Sequence, residues 1–175
     1  MYLRVLAAAA FVLFAFVGYA PKAEAACHIV VFSNAGVWKA YGGPCDSGPK
    51  MCGVSTSGEG KFFGLKYFQH DNTFTIQLGS NQWSIKNGAK QSVTMKIDQN
   101  TEWTAVGTGF HFDDGDPGLQ FEIKSNQLDT FMKEFSTGNQ LVVRFPGARE
   151  VTDWVASLDG SDKISESFVN CIKAM

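Results

Sequence analysis

Strict alternation of apolar and polar residues, recurring along the middle of the chain, limits this sequence more than any other feature. Phe74, Ile76 and Leu78 alternate with Thr73, Thr75 and Gln77, and Val93, Met95 and Ile97 with Thr94, Lys96 and Asp98. Leu119, Phe121 and Ile123 alternate with Gln120, Glu122 and Lys124, and Leu141, Val143 and Phe145 with Val142 and Arg144. Successive side chains of a strand point to opposite faces, so each run predicts a strand with one buried face. Further strands are expected at 28–32, 37–41, 53–57, 62–68, 103–107 and 151–156. Asn87-Gly88 marks a turn between Trp83–Ile85 and the strand at Val93.

The period changes in two places. Leu128, Phe131, Met132 and Phe135 fall at i, i+3, i+4 and i+7, one face of a helix over 126–137. Ser125 or Asn126 is placed to cap its start, and Gly138 to stop it. Ile164, Phe168, Cys171 and Ile172 share a face of a second helix over 161–173. After residue 25 there is no linker, charge run or low-complexity tract, and 175 residues suit one core. The expectation is a single domain over 26–175, mainly β: an antiparallel β-sandwich or flattened barrel of about eight to ten strands with two short helices.

The N-terminus points to export. Arg4 precedes an unbroken apolar run from Val5 to Val17, and Ala23-Glu24-Ala25 has the small-x-small form of a cleavage site. The run is shorter than the ~20 residues that a membrane-crossing helix needs. Residues 1–25 therefore read as a signal peptide whose removal leaves no transmembrane anchor, and the product is periplasmic or secreted. Lys and Arg number 15 against 17 Asp and Glu, which lacks the basic excess of a nucleic-acid binder.

Four cysteines, Cys27, Cys45, Cys52 and Cys171, follow the cleavage site, and an even count in an exported chain reads as disulfides. Four cysteines allow three pairings. The turn-rich segment Asp46–Met51 favours Cys45 with Cys52, which leaves Cys27 for Cys171. Zinc is disfavoured, because the Cys45–Cys52 spacing exceeds the usual two to four residues and no histidine stands nearby.

Catalytic motifs are missing. There is no nucleophile elbow, H-E-x-x-H, phosphate loop or dinucleotide fingerprint. His28, His70 and His111 are scattered singly. His111 stands near Asp113 and Asp114, which leaves a hydrolase as a rival reading. The loop Asp113-Asp114-Gly115-Asp116-Pro117-Gly118 has hard oxygen ligands for Ca²⁺, yet it departs from the helix–loop–helix pattern and reads first as a hairpin tip. No metal, cofactor or catalytic residue is expected. Aromatics are the better binding candidates. Phe62 and Phe68 fall opposite Phe63, Leu65 and Tyr67, and Phe110 and Phe112 share a face opposite His111. Such strands either lie between two layers or expose rings to a partner. Trp38, Tyr41, Phe110 and Phe112, which flank glycine-rich turns, are the candidate anchors.

Trp38, Cys45, Cys52, the segment Trp83-Ser84-Ile85-Lys86-Asn87-Gly88, and Val93-Thr94-Met95-Lys96-Ile97-Asp98 together resemble the invasion-associated locus B family. Ser157-Leu158-Asp159-Gly160 is similar to that family's closing S-L-x-G. The chain differs from it in having no cysteine between Cys52 and Cys171, where the family carries a further pair. The resemblance implies a small exported bacterial β-protein of the periplasm or surface, linked to host-cell entry, and supplies no catalytic residues. The expected function is non-enzymatic binding of a protein or envelope component. The alternative is inhibition of an exogenous enzyme through the 113–118 loop.

Overall fold

The computed structural model describes residues 26–46, 48–148 and 151–175, so the expected leader lies outside the described residues. The strands are β1 (Val30–Ala35), β2 (Trp38–Pro44), β3 (Lys50–Gly58), β4 (Lys61–Phe68), β5 (Thr73–Ser80), β6 (Lys90–Ile97), β7 (Trp103–His111), β8 (Pro117–Lys124), β9 (Gln140–Arg144) and β10 (Trp154–Ser157). Two helices, α1 (Leu128–Thr137) and α2 (Ser161–Lys173), match the two changes of period. All ten strands join one antiparallel sheet in the order β1-β2-β3-β4-β5-β8-β7-β6-β9-β10. The fold is mainly antiparallel β with two short helices, as the alternation requires, and the sheet does not close into a barrel.

Gly88 does take a left-handed turn (φ 80°), and the segment before it, Trp83–Ile85, forms no strand. It carries the crossover from β5 past β8 and β7 to β6, while Trp83 and Ile85 are buried as plugs, Trp83 edge-on to Phe145. Their alternation reflects burial without a ladder. At α1 a 3₁₀ turn over Ser125–Gln127 leads directly into the helix, so neither Ser125 nor Asn126 acts as a side-chain cap.

One face of the sheet holds the core. Ala40, Val54, Leu65, Ile76, Leu119 and Val143 point inward against the apolar faces of both helices. Trp38 lies at the centre, fully buried and edge-on to Phe63 and Phe135 at 5.7 and 4.8 Å. Its indole Nε1 donates to Ser157 O at 3.0 Å. Since β2 and β10 stand near opposite ends of the strand order, that bond requires the sheet to curl until its two ends meet around the helices. The turns beside it fit backbone to backbone. A Cβ at Gly36 (φ 57°) would lie 2.7 Å from Asp159 O, and one at Gly160 (φ 86°) 2.7 Å from Ala35 O. Both glycines supply a left-handed backbone and a close approach that other residues resist.

The disulfides are Cys27–Cys45 and Cys52–Cys171, which overturns the pairing expected from the turn between Cys45 and Cys52. The reason is parity. In the β2–β3 register Gly42 faces Cys52, so Cys52 points into the core with Val54. Cys45 continues the opposite face, where it packs with Tyr41 and Met51. Two cysteines at the ends of one hairpin, on opposite faces of the sheet, cannot join. Cys52 instead meets Cys171 of α2, and Cys45 secures the N-terminal segment, where His28 N donates to Pro44 O and Asp46 N to Ala26 O.

Asp98 (φ 47°) makes a second tie, accepting from Asn139 N at 2.9 Å, Gln140 N at 3.0 Å and Asn139 Nδ2 at 3.1 Å. The Asn139 backbone N–H, aided by the other two donors, holds this carboxyl below its ordinary range against a smaller desolvation effect.

Peptide mapping without reduction should return Cys27–Cys45 and Cys52–Cys171. Replacing Cys52 and Cys171 together with alanine, which opens a separation of 119 residues, should lower urea stability by about 5 kcal/mol on chain-entropy grounds. A depressed carboxyl adds stability above its unfolded pKa and loses it as pH falls through the folded one. Asp98→Asn should therefore reduce the loss of urea stability seen on acidification below about pH 4, measured as the midpoint difference between neutral and acid buffers.

Candidate functional site

Helices cover one face of the sheet, and the other is largely bare. On that outer face the period-two pattern brings Phe62 of β4 beside Phe112, just past the end of β7, and Phe112 beside Phe110 of β7. The ring centroids are 5.1 Å apart in the first pair and 4.6 Å in the second, both edge-to-face. All three rings are half-buried. They lie on a floor of glycine. A Cβ at Gly64 would sit 2.8 Å from Phe62 Cε1, one at Gly79 2.6 Å from Phe112 Cε2, and one at Gly118 2.7 Å from both Phe110 and Phe112. The rings can lie down on the sheet because the residues beneath have no side chain, and edge-to-face packing adds about 0.5–1.5 kcal/mol per pair.

Beside this cluster runs a groove of about 410 Å³, lined by Lys66, Thr75, Gln77, Thr108, Gln120 and Glu122 together with three apolar side chains. Gln77 Nε2 donates to Gln120 Oε1 at 3.4 Å, and Thr73 Oγ1 to Glu122 Oε2 at 3.3 Å. The outer face thus sets an aromatic patch next to hydrogen-bonding side chains.

Of the four anchors expected from sequence, the structure brings Phe110 and Phe112 together and withdraws the other two. Trp38 is fully buried on the core face, where a partner cannot touch it. Tyr41 is on the outer side but is covered by the cluster of Cys45, Met51, Cys27 and Phe68, and its ring lies against Gly53. That burial pushes its phenol well above the ordinary range. Phe62, which completes the cluster, was legible only as an apolar residue on the wrong side of β4. The paired signal was glycine two residues on, at Gly64, and across the sheet at Gly79 and Gly118.

The residues behind the hydrolase reading stand apart. His111 is exposed and shares a hydrogen bond with Asn87 Oδ1 at 2.7 Å, not with Asp113 or Asp114. The acidic loop is a hairpin tip braced by its own backbone: Phe112 N donates to Asp116 O, Gly115 N to Phe112 O, and Asp116 N to Asp114 Oδ1. Among the described residues no group of three or more His, Cys, Asp or Glu is placed to hold a metal ion. His28 is paired with Asp46 at the N-terminal edge, far along the chain from the others.

A curled antiparallel sheet with one face covered by two helices and the other carrying an aromatic cluster defines a small β-protein. No protein-family model matches the chain, and no curated protein is similar to it in sequence. Among solved structures, it is similar to the crystal structure of invasion associated protein B from Bartonella henselae, with a TM-score of 0.54 and 12% identity. The match covers 81% of this chain and 97% of that one, and shows a shared fold.

Gly118→Ala should push the Phe110 and Phe112 rings off the sheet. The expected outcomes are loss of about 1–3 kcal/mol, as for other overpacked sites, and altered ring-current shifts of Phe110 and Phe112 in NMR spectra with the fold intact.

Proposed function

We propose that this protein is an exported, non-enzymatic recognition protein of the periplasm or cell surface, binding a protein or envelope component in host-cell interaction. The observation that carries the reading is the Phe62–Phe110–Phe112 cluster on the uncovered face of the sheet. Half-exposed rings held in fixed orientation lose little entropy on binding and make strong anchors. Two disulfides suit an oxidising compartment, and among the described residues no helix is long and apolar enough to cross a membrane. The structural neighbour from Bartonella henselae carries the description invasion associated, which agrees with a role at the host. Inhibition of an exogenous enzyme is the second reading, favoured by the braced acidic tip at 113–116.

The test is capture from envelope and host-surface fractions with the oxidised mature protein. Joint replacement of Phe110 and Phe112 by alanine should weaken capture by about thirtyfold, the effect of losing an interface anchor, with near-UV circular dichroism unchanged. Joint Asp113→Asn and Asp114→Asn, and separately His111→Ala, should leave capture intact. Capture that survives loss of both phenylalanines refutes the reading. So does turnover of an envelope glycan that His111→Ala abolishes.

A further inference from the structure

The β7–β8 hairpin splits open partway along its length. The two strands pair from Thr108 opposite Gln120 to His111 opposite Pro117, and the ladder stops there. Yet β7 continues back to Trp103, still paired with β6, and β8 continues to Lys124, still paired with β5. The result is a slit inside the sheet, where a cavity of about 550 Å³ lies between Thr104 and Ala105 on one wall and Glu122 and Ile123 on the other.

The register settles which main-chain groups face this slit. Antiparallel ladders use the N–H and C=O of alternate residues. Ser125 N donates to Asn72 O, so Ile123 and Phe121 turn their main-chain groups toward β5, and Glu122 and Lys124 turn theirs into the slit. Gly109 N donates to Ala89 O, so Trp103, Ala105 and Gly107 serve β6, and Thr104 and Val106 face the slit. None of these four slit-facing residues belongs to the β7–β8 ladder, which ends at Thr108 and Gln120. Beneath, the slit is shut off from the core. Trp103 lies edge-on to Phe131 at 5.4 Å, and its Nε1 donates to Glu134 Oε2 at 2.8 Å. The slit runs out to the exposed Asn126 and Gln127 past the end of β8, and it shares Phe121 and Glu122 with the groove beside the phenylalanine cluster.

We propose that this slit accepts an extended peptide segment of a partner protein, added as a strand between β7 and β8. The inference deepens the recognition reading and rests on it. Both walls present donors and acceptors at strand spacing, and another extended main chain matches them on both sides at once. Alternate side chains of the guest would point down to Trp103, Ala105, Phe121 and Ile123, and the rest outward past Glu122 and Lys124. The guest is therefore a segment of alternating apolar and polar residues.

Amide exchange followed by NMR on the oxidised mature protein tests this. In the free protein the amides of Thr104, Val106, Glu122 and Lys124 should exchange rapidly, and those of Ala105, Gly107, Phe121 and Ile123 slowly. A capped hexapeptide alternating valine with threonine and lysine, at millimolar concentration, should slow the first four at least tenfold. It should also shift the emission of Trp103, since the other three tryptophans are buried. The same peptide methylated on alternate amide nitrogens, in both registers, should give neither effect. Thr104→Pro removes a slit-side donor and spares the β6 ladder, and should weaken binding at least tenfold. Should that variant fail to fold, the methylated peptides make the same discrimination. Slow exchange at the four amides of the free protein overturns the proposal, as does absence of protection at saturating peptide, or equal binding of the methylated forms. Capture that depends on Phe110 and Phe112 while the slit amides stay unprotected removes the slit and leaves the recognition reading standing. The reverse pattern removes the phenylalanine anchors instead.

Discussion

The hydrogen bond from Trp38 to Ser157 O is the constraint on which the rest of the molecule turns. An open antiparallel sheet of ten strands would ordinarily present two distant edges and one large apolar face. Here the indole of β2 reaches the far end of the strand order, and the Gly36 and Gly160 turns close around it. With the ends fastened, the apolar face becomes the lining of a cup, and α1 and α2 fill it. Phe135 of α1 packs on Trp38, and Ser161 Oγ of α2 donates to Phe135 O at 2.7 Å. The segment Ser157-Leu158-Asp159-Gly160 thus has a physical role. It offers the carbonyl that Trp38 needs, a buried leucine, and the left-handed glycine that starts α2.

The two disulfides divide their work by face. Cys52–Cys171 lies on the inner side and ties α2 to β3, so the last helix cannot leave the cup without breaking a covalent bond. Cys27–Cys45 lies on the outer side and holds the N-terminal segment across β2, covering Tyr41 and Met51. This cover accounts for why the outer face is closed near β2 and β3 and bare over β4, β5, β8 and β7. The exposed part of the face is the part that no disulfide-anchored segment reaches. The start of edge strand β1 remains apolar and open, with Ile29 just before it and Val30, Val31 and Phe32 within it 47–66% exposed.

Most of the architecture was legible as period. Where alternation was strict, as at Phe74–Leu78 or Leu119–Ile123, strands formed with the expected face buried, and the two i, i+3, i+4, i+7 runs became the two helices. What period cannot show is which strands are neighbours. That is why the turn at Asn87-Gly88 could be read without the crossover that Trp83–Ile85 carries, and why proximity in sequence suggested Cys45 with Cys52. Strand parity contained the answer to the second, but only once the β2–β3 register was known. The anchors divided along the same line. Trp38 and Phe110 both flank glycines, yet one glycine serves a turn that fastens the core and the other lets rings rest on the outer face. Local composition does not distinguish the two uses.

The slit lies over one of the rings that complete the core. The β7–β8 ladder stops at Thr108 and Gln120, and beyond that point Trp103 sits on the inner side of β7. Its ring, wedged against Phe131 and held by Glu134, takes up space beneath β7 beside the unpaired length of β8. On the inside the wedge completes the core. On the outside, Thr104, Val106, Glu122 and Lys124 lie past the end of the ladder with main-chain groups turned into the slit, toward solvent or a guest strand. Backbone edges are usually a hazard at the rim of a sheet, where any strand can add to them. Placed in the middle of a sheet, between two walls of fixed register, they become selective. The incoming chain must fit both sides and stay within the length where the ladder is missing.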